Sequence, residues 1–280
     1  MWESKMGFRT GTTLNGAILP LLCDPDTRYP LELANGSLRN ALLGRVYPVQ
    51  DGIPLFVSSV RSGQFLRQIV FDRIAPIYDF AHTMFRWISG GREATPEFLA
   101  ELELPPRARV LEVAVGTGAN LRFLPEDAEL FGVDLSWGML RVCRRNLKRW
   151  GRRAYLFQGE AERLPFVGNV FDCVFLVGSI NALSKKARVI REMLWVAKPG
   201  AKIVIVDEAA SVAHDRNGNL RKFDDMETLA EQTGCPVDQV PPQVEELHVQ
   251  RICAGRLYCM TFRKPMGGQI LTPAQGTDQP

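Results

Sequence analysis

The residues with the clearest chemical potential lie in the stretch from Arg109 to Leu121, which reads RVLEVAVGTGANL. An apolar run with β-branched residues contains one acid, Glu112, and two glycines, Gly116 and Gly118, follow it. This order predicts a strand buried on both faces, a tight turn and a helix from about Asn120, which together form the first crossover of a nucleotide-binding α/β fold. Glycine at these two turn positions lets the backbone pass close to a ligand where a Cβ atom would collide.

A second carboxylate stands at the end of the next predicted strand, residues 129–134. Asp134 lies 22 residues after Glu112, and a carboxylate at such a strand tip can accept both ribose hydroxyl protons. Two ligand classes compete for this arrangement. A dinucleotide site needs a third glycine to pack the helix on the strand, but Leu121 occupies that position. An S-adenosylmethionine site needs an acid on the strand and small residues at alternate positions after it, which Glu112, Ala114 and the two glycines provide.

Several motifs resemble those of the class I methyltransferases. Residues 112–118 resemble their first motif, with Ala114 in place of the usual glycine, and residues 134–140 resemble their D-L-S-x-x-M-L string. Residues 159–166 resemble G-D-A-E-x-L-P-F, with Glu160 in place of the usual aspartate. The resemblance implies that S-adenosylmethionine is the cofactor and S-adenosylhomocysteine the product. It also implies that Glu160 accepts a hydrogen bond from the adenine amino group and that the backbone of Ala161 faces the ring edge.

The segment FDRIAPIYD, residues 71–79, resembles the N-terminal helix of the quinone-biosynthesis C-methyltransferases. That resemblance implies a lid over the cofactor, with Tyr78 bordering the methyl-donor site. The alternative is that Tyr78 is a half-buried aromatic residue on an amphipathic helix. The cofactor-binding residues predicted from all the motifs are Tyr78, Glu112, Ala114, Gly116, Gly118, Asn120, Asp134, Leu135, Met139, Glu160, Ala161 and Val177.

Residues 1–60 are rich in glycine, proline and short apolar pieces, which predicts short strands joined by turns. The string YPVQDGIP, residues 47–54, resembles the small zinc-ribbon family that includes the activator subunit of tRNA and protein methyltransferases. Only Cys23 stands where a ribbon cysteine is expected, so we expect that the metal site is lost and that apolar packing holds the segment. The segment is either a docking module for substrate or partner, or a small β cap that stabilises the enzyme.

The whole pattern predicts a Rossmann-like α/β fold. We expect it to be doubly wound around a mostly parallel seven-stranded sheet with an antiparallel C-terminal hairpin, next to a small N-terminal β-rich domain. The predicted boundaries are 1–60 for the degenerate zinc-ribbon-like domain, 61–104 for a helical lid or bridge, 105–265 for the S-adenosylmethionine-binding methyltransferase domain, and 266–280 for a disordered tail.

The composition of the chain limits its partners. The 280 residues carry a net charge of +3, too small to imply a polyanionic partner, and the six cysteines form no C-x-x-C pair, so no metal is expected. No apolar run approaches the ~20 residues of a membrane-spanning helix, so we expect a cytoplasmic protein.

The predicted helix 137–150 carries basic residues on one face, which we interpret as a solvated surface rather than a nucleic-acid site. The oligomeric state stays open, with a homo-oligomer among the alternatives.

These patterns predict in-line transfer of a sulfonium methyl group to a small acceptor, apolar or quinone-like because the lid segment resembles the quinone-biosynthesis enzymes. An RNA or protein methyltransferase that docks through its N-terminal ribbon is one alternative, and a non-catalytic cofactor-binding scaffold is another. Such an enzyme mainly supplies proximity, alignment and exclusion of water, so no catalytic residue is assigned. His82 and His214 would matter only if the acceptor atom loses a proton. Ser179 and Asn181 are substrate-side candidates, with turn or capping roles as the alternative.

Overall fold

The computed structural model describes residues 16–57, 94–209 and 233–267, and their helices and strands follow the predicted order. The α-helices are α1 (Ala94–Ala100), α2 (Trp137–Arg149) and α3 (Lys186–Val196). The strands are β1 (Glu32–Ala34), β2 (Ser37–Arg39), β3 (Val46–Tyr47), β4 (Val49–Gln50), β5 (Ile53–Pro54), β6 (Arg109–Val113), β7 (Glu129–Asp134), β8 (Tyr155–Gln158), β9 (Phe171–Val177), β10 (Ala197–Glu208), β11 (Glu245–Ile252) and β12 (Leu257–Arg263). Short 3-10 helices cover Gly16–Leu21, Leu121–Phe123, Ile180–Ala182 and Val237–Gln239.

Seven of these strands form one sheet in the order β11-β12-β10-β9-β6-β7-β8. The five strands from β6 to β10 run parallel, and β12 joins β10 in antiparallel register, with Val204 opposite Thr261. β11 and β12 form the predicted C-terminal hairpin. The predicted doubly wound, mostly parallel fold class is therefore confirmed.

The strand order reverses beside β6, which lies between β9 and β7. Leu111 in the middle of β6 pairs with Val174 on one side and with Phe131 on the other. Val110, Leu111 and Val113 are all buried, as the apolar run predicts. In open α/β sheets, ligands bind outside the carboxyl ends of the strands at such a reversal point. The segments that follow β6, β7, β8 and β9 therefore meet where a ligand site is expected.

The α-helix predicted from about Asn120 is wrong. The chain forms only the 3-10 helix Leu121–Phe123 and is extended again at Leu124, with φ −71° and ψ 157°. Leu124 precedes Pro125, whose ring disfavours helical backbone in the residue before it. Arg152 satisfies the carbonyl oxygens left by the interrupted helix, since its Nη2 donates to Leu124 at 2.7 Å and to Pro125 at 3.1 Å.

Residues 16–57 form what we call the N-terminal module, which contains the two small sheets β1-β2-β3 and β4-β5. The β4–β5 hairpin turns at Asp51-Gly52, the pair that the sequence indicates, with φ of 55° and 77°. Aspartate and glycine tolerate this left-handed backbone, which tight hairpin turns require.

A buried carboxylate, Asp24, is the centre of a hydrogen-bonded hub inside the module. Its Oδ1 accepts from the backbone N–H groups of Asp26 and Thr27, both at 3.0 Å, and its Oδ2 accepts from Asn40 at 2.8 Å and from the Tyr47 hydroxyl at 2.9 Å. Burial alone would raise the pKa of Asp24, but the bonds from Asn40, Thr27 and Tyr47 hold it below its ordinary value. Apolar packing is therefore only part of what holds this segment, and the sequence-based expectation is corrected in that respect.

Several predictions fall outside the described residues. They concern the lid with Tyr78, the histidines His82 and His214, and residues 268–280 of the tail. The domain boundaries also stay predictions. All six cysteines are described and are buried free thiols. Among the described helices, none has the length and apolar character needed to cross a membrane.

Candidate functional site

A cleft of about 260 Å³ opens at the carboxyl ends of β6, β7, β8 and β9. The predicted site residues that line it are Glu112, Ala114, Gly116, Asn120, Asp134, Leu135, Met139, Glu160, Ala161 and Val177. Residues that the sequence did not single out as cofactor-binding also line it: Val115, Thr117, Ala119, Val133, Ser136, Gly159, Glu162, Gly178, Ser179, Ala182 and Leu183. Most of these are chain neighbours of predicted residues, whereas Ala182 and Leu183 carry no motif signal.

The glycine turn that follows β6 has two faces. Gly116 adopts φ +53°, and a Cβ atom added there would have no neighbour within 4 Å, so this side faces open space in the cleft. Gly118 adopts φ +76°, and an added Cβ would lie 2.6 Å from Cys143 Sγ of α2. Gly118 is not among the residues that line the cleft, and its predicted contact with the ligand stays a prediction. Its missing side chain lets the turn pack on α2.

Ala114 has a backbone conformation that side chains rarely adopt. Its φ is +57°, in the left-handed region, where an L-residue with a Cβ atom is disfavoured by roughly 1–2 kcal/mol. The related motif has glycine at this position, so the replacement keeps the residue small but strains the backbone. The conformation turns the chain from the end of β6 into the glycine turn.

Asp134 is fixed by backbone amides at the tip of β7. Its Oδ2 accepts from the N–H of Gly116 at 2.8 Å, and its Oδ1 accepts from the N–H of Ser136 at 2.9 Å. Ser136 in turn caps α2, because its Oγ accepts from the N–H of Met139 at 3.1 Å. A carboxylate has about four acceptor positions, so Asp134 can hold the turn and still accept ribose hydroxyls.

Glu112 has the most unusual environment in the cleft. The residue is 1% exposed, and its Oε1 accepts from Asn120 Nδ2 at 2.7 Å. Its Oε2 is buried and has no hydrogen-bond partner among the described residues. Burial raises the pKa of Glu112 to about 8, against the lowering effect of the Asn120 bond and with a further rise from the charge of Asp134. A buried acceptor of this kind is suited to a donor or cation supplied by a ligand.

Glu160 lines the cleft, but its carboxylate is already engaged by Arg163. The guanidinium donates from Nε to Oε2 at 3.0 Å and from Nη2 to Oε1 at 2.8 Å and to Oε2 at 2.7 Å. The motif that predicts Glu160 leaves the position of Arg163 unspecified, so this pair has no signal in the sequence. Any ligand group that Glu160 accepts must therefore share the carboxylate with Arg163.

The two substrate-side candidates differ in placement. Ser179 lines the cleft, while Asn181 does not and is held by three hydrogen bonds. Its Oδ1 accepts from the Tyr258 hydroxyl at 3.1 Å, its Nδ2 donates to the carbonyl of Glu208 at 2.9 Å, and its N–H donates to Asp207 Oδ2 at 2.8 Å. For Asn181 the supporting role is therefore the better interpretation.

Comparison with known proteins gives the class of the domain. Residues 110–200 match the protein family described as a methyltransferase domain. The chain is 32% identical over 146 residues to a demethylmenaquinone methyltransferase of Lactiplantibacillus plantarum, an alignment that covers 50% of this chain and 61% of the relative. It is also 32% identical over 152 residues to a ubiquinone/menaquinone biosynthesis C-methyltransferase of Syntrophotalea carbinolica, covering 52% of this chain and 62% of the relative. The matched region is thus less than two thirds of each of these relatives.

A solved structure shares the fold. The cyclase SpnF aligns with a TM-score of 0.50 at 18% identity, covering 70% of this chain and 96% of that chain. Residues 110–200 thus match a methyltransferase domain, and the predicted resemblance of this region to the quinone-biosynthesis C-methyltransferases is confirmed. The zinc-ribbon resemblance of residues 1–60 stays a prediction.

Proposed function

We propose that this chain, with its class I methyltransferase domain, transfers the methyl group of S-adenosylmethionine to a small apolar or quinone-like acceptor. The observation that carries the cofactor assignment is the buried, unpartnered Oε2 of Glu112 in the cleft. S-adenosylmethionine has an ammonium group at its amino-acid end, and an ammonium donates the hydrogen bonds and the charge that this oxygen lacks.

The other lining residues fit the remaining parts of the same molecule. Asp134, at the second strand tip, would accept the ribose hydroxyls, and the open side of Gly116 gives the chain a close approach to the ligand. Leu135, Met139 and Ala161 would border the adenine ring. When bound, the cofactor supplies a methyl group on a positively charged sulfur, which leaves readily.

The contribution of the protein is to orient the two reactants and to exclude water. Glu112 would hold the amino-acid end of the donor and Asp134 its ribose, so the donor would be held at two separate points. Val177, Ala182 and Leu183 bring apolar surface to the β9 side of the cleft, where an acceptor can approach. This apolar lining and the names of the two quinone-pathway relatives support an apolar acceptor.

Calorimetric titration with S-adenosylhomocysteine tests the cofactor assignment. We expect wild-type protein to bind it and the Glu112→Gln variant to bind it at least about tenfold more weakly, since one charged hydrogen bond contributes roughly 1.5–3 kcal/mol. Glu129→Gln is the matched control, because Glu129 lies at the opposite end of β7, paired with Arg109. Absence of binding by the wild type would refute the proposal.

Methyl transfer tests the acceptor class. The enzyme, the cofactor and one candidate acceptor are incubated, and mass spectrometry detects a product heavier by one methylene. A demethylated naphthoquinone should gain a methyl group, whereas tRNA and a protein fraction should not. Transfer to RNA or protein alone would favour the docking alternative, and transfer to none of them would leave the scaffold interpretation.

A further inference from the structure

The N-terminal module holds both ends of the segment that contains Glu160. At one end, the N–H of Phe56 donates to the carbonyl of Gln158 at 2.7 Å, which extends the edge of the large sheet at β8. At the other end, the N–H of Cys23 donates to the carbonyl of Pro165 at 3.0 Å, and the N–H of Val167 donates to the carbonyl of Leu21 at 3.0 Å. Residues 159–164, which we call the cofactor loop, are thus anchored to the module on both sides.

The backbone of Leu164 is fixed by two charged side chains at the end of the cofactor loop. Arg28 of the module donates from Nη1 to the carbonyl of Leu164 at 2.7 Å, and Glu192 of α3 accepts from its N–H at 2.8 Å. Arg28 and Glu192 also form an ion pair with each other, and the Glu192 side chain is fully buried. The module and the methyltransferase domain therefore share one polar network around this loop.

A chain of ion pairs runs from the module to the cleft. Arg45 donates to Asp26 Oδ2 at 2.7 Å, and Arg163 donates from Nη1 to Asp26 Oδ1 at 2.6 Å. The rest of the Arg163 guanidinium holds the Glu160 carboxylate by the three hydrogen bonds given above. Asp26 is 29% exposed, Arg163 is 16% exposed and Glu160 is 9% exposed, so the charge pairs become more buried toward the cleft.

We propose that Asp26 and Arg163 are positioning residues that act on the cofactor through Glu160, which makes the N-terminal module part of the cofactor site. This inference rests on the proposed function. Glutamate has more rotatable bonds than aspartate, so its carboxylate needs external contacts to stay in one place. Arg163 provides these contacts in a planar, bidentate geometry. Asp26 in turn holds the guanidinium in place, since without it the guanidinium could move together with the Glu160 carboxylate.

The proposal predicts a selective effect on recognition of adenine. Binding of S-adenosylhomocysteine is compared with binding of S-inosylhomocysteine, in which a carbonyl oxygen replaces the adenine amino group. Wild-type protein should prefer the adenine ligand because Glu160 accepts from the amino group and repels the carbonyl. In the Asp26→Asn variant this preference should fall about three- to tenfold, the range expected for groups coupled in one ion-pair network. A residue that only stabilises the fold would weaken both ligands by the same factor.

Three further variants make the test specific. Asp51→Asn is the matched control, because Asp51 and Arg144 also join the module to the domain, at 3.2 Å, but both are well exposed and lie outside the cleft. Asp51→Asn should leave the ligand preference unchanged. Arg163→Lys keeps the charge but loses the bidentate geometry, so it should reduce the preference for the adenine ligand as Asp26→Asn does. Asp26→Glu keeps the carboxylate, so its preference for the adenine ligand should lie between those of Asp26→Asn and the wild type.

The outcomes separate this inference from the proposed function. If wild-type protein binds neither ligand, the cofactor assignment itself fails. If wild-type protein prefers the adenine ligand and both Asp26→Asn and Arg163→Lys keep that preference, the cofactor assignment stands and the positioning role is overturned. An equal loss for the two ligands in both variants also overturns it, because that is the result expected of a purely structural contact.

Discussion

Replacement of Glu112 by glutamine should change stability and cofactor binding in opposite directions. Glu112 is buried, with one of its two carboxylate oxygens unpartnered among the described residues, and its pKa is raised from the ordinary 4.5 to about 8. The folded protein holds the carboxyl proton of Glu112 more tightly than the unfolded chain does. The contribution of this protonated carboxyl to the unfolding free energy is therefore fully present below about pH 4.5 and is lost as pH rises through about 8. Each pKa unit corresponds to about 1.4 kcal/mol, so the loss is at most roughly 5 kcal/mol.

The assay is urea unfolding of the ligand-free protein at about pH 5, 7 and 9. Wild-type protein should lose a few kcal/mol of unfolding free energy over this range through Glu112, and Glu112→Gln should lose distinctly less, because glutamine does not titrate. Glu129→Gln, at the partly exposed far end of β7, should keep the wild-type pH dependence. Identical pH profiles for wild type and Glu112→Gln would refute the argument that Glu112 is buried with a raised pKa.

Ligand binding should show the opposite preference. An ammonium ligand favours the charged carboxylate, so below about pH 8 the protein should release a proton when S-adenosylhomocysteine binds, and affinity should rise with pH up to that value. Calorimetry in buffers with different ionisation enthalpies measures the proton release. Glu112→Gln should bind more weakly and release none. If the affinity of the wild-type protein does not depend on pH, Glu112 does not bind the ammonium group of the ligand.

Three other substitutions concern the cleft and the glycine turn beside it. Asp134→Ala should weaken S-adenosylhomocysteine binding by roughly 1.5–3 kcal/mol for each charged hydrogen bond lost, and unchanged affinity in calorimetry would remove Asp134 from the ribose site. Gly118→Ala should lower the unfolding free energy by roughly 1–3 kcal/mol, since its Cβ would meet Cys143 Sγ at 2.6 Å, and the loss should be smaller in a Cys143→Ala background if that contact is the cause. Ala114→Gly should leave the unfolding free energy equal or slightly higher in urea unfolding. Glycine relieves roughly 1–2 kcal/mol of backbone strain at φ +57°, which outweighs the roughly 0.4–1 kcal/mol cost of added freedom in the unfolded chain. A clear loss of unfolding free energy would show that the left-handed backbone of Ala114 is not strained.

Local patterns in the sequence were sufficient for the elements that position the cleft. β7 spans Glu129–Asp134 as predicted, because its apolar run ends at a polar residue, and α2 spans Trp137–Arg149, within one residue of the predicted helix 137–150. The hairpin of β11 and β12 turns at Ala254-Gly255, where glycine permits φ +80°. Each of these signals lies within a few residues of the feature it predicts.

Contacts between distant parts of the chain had no such signal. Asp26 and Arg163 are separated by 137 residues, and nothing near either one indicates that the two meet. The same holds for Gly118 and Cys143, whose packing is fixed only once α2 lies against the glycine turn. The missing helix after Asn120 is a different case. Its cause, Pro125, is visible in the sequence and outweighs the apolar periodicity around it.

Two of the carboxylates in the cleft, those of Asp134 and Glu112, illustrate two ways to prepare a site for a ligand. Asp134 receives two backbone hydrogen bonds, from Gly116 and Ser136, so it is oriented before the ligand arrives and also holds the glycine turn in place. Glu112 has one bond, from Asn120, and an oxygen that only a ligand can satisfy within the described part of the cleft. Loss of Asp134 should therefore lower both the unfolding free energy and the affinity for the ligand. Loss of the Glu112 charge should raise the unfolding free energy at neutral to high pH and lower the affinity for the ligand. Among the described residues, Asn120 partners only one of the two carboxylate oxygens of Glu112, and burial disfavours its charged form, so the position of this acid is best explained by the ligand.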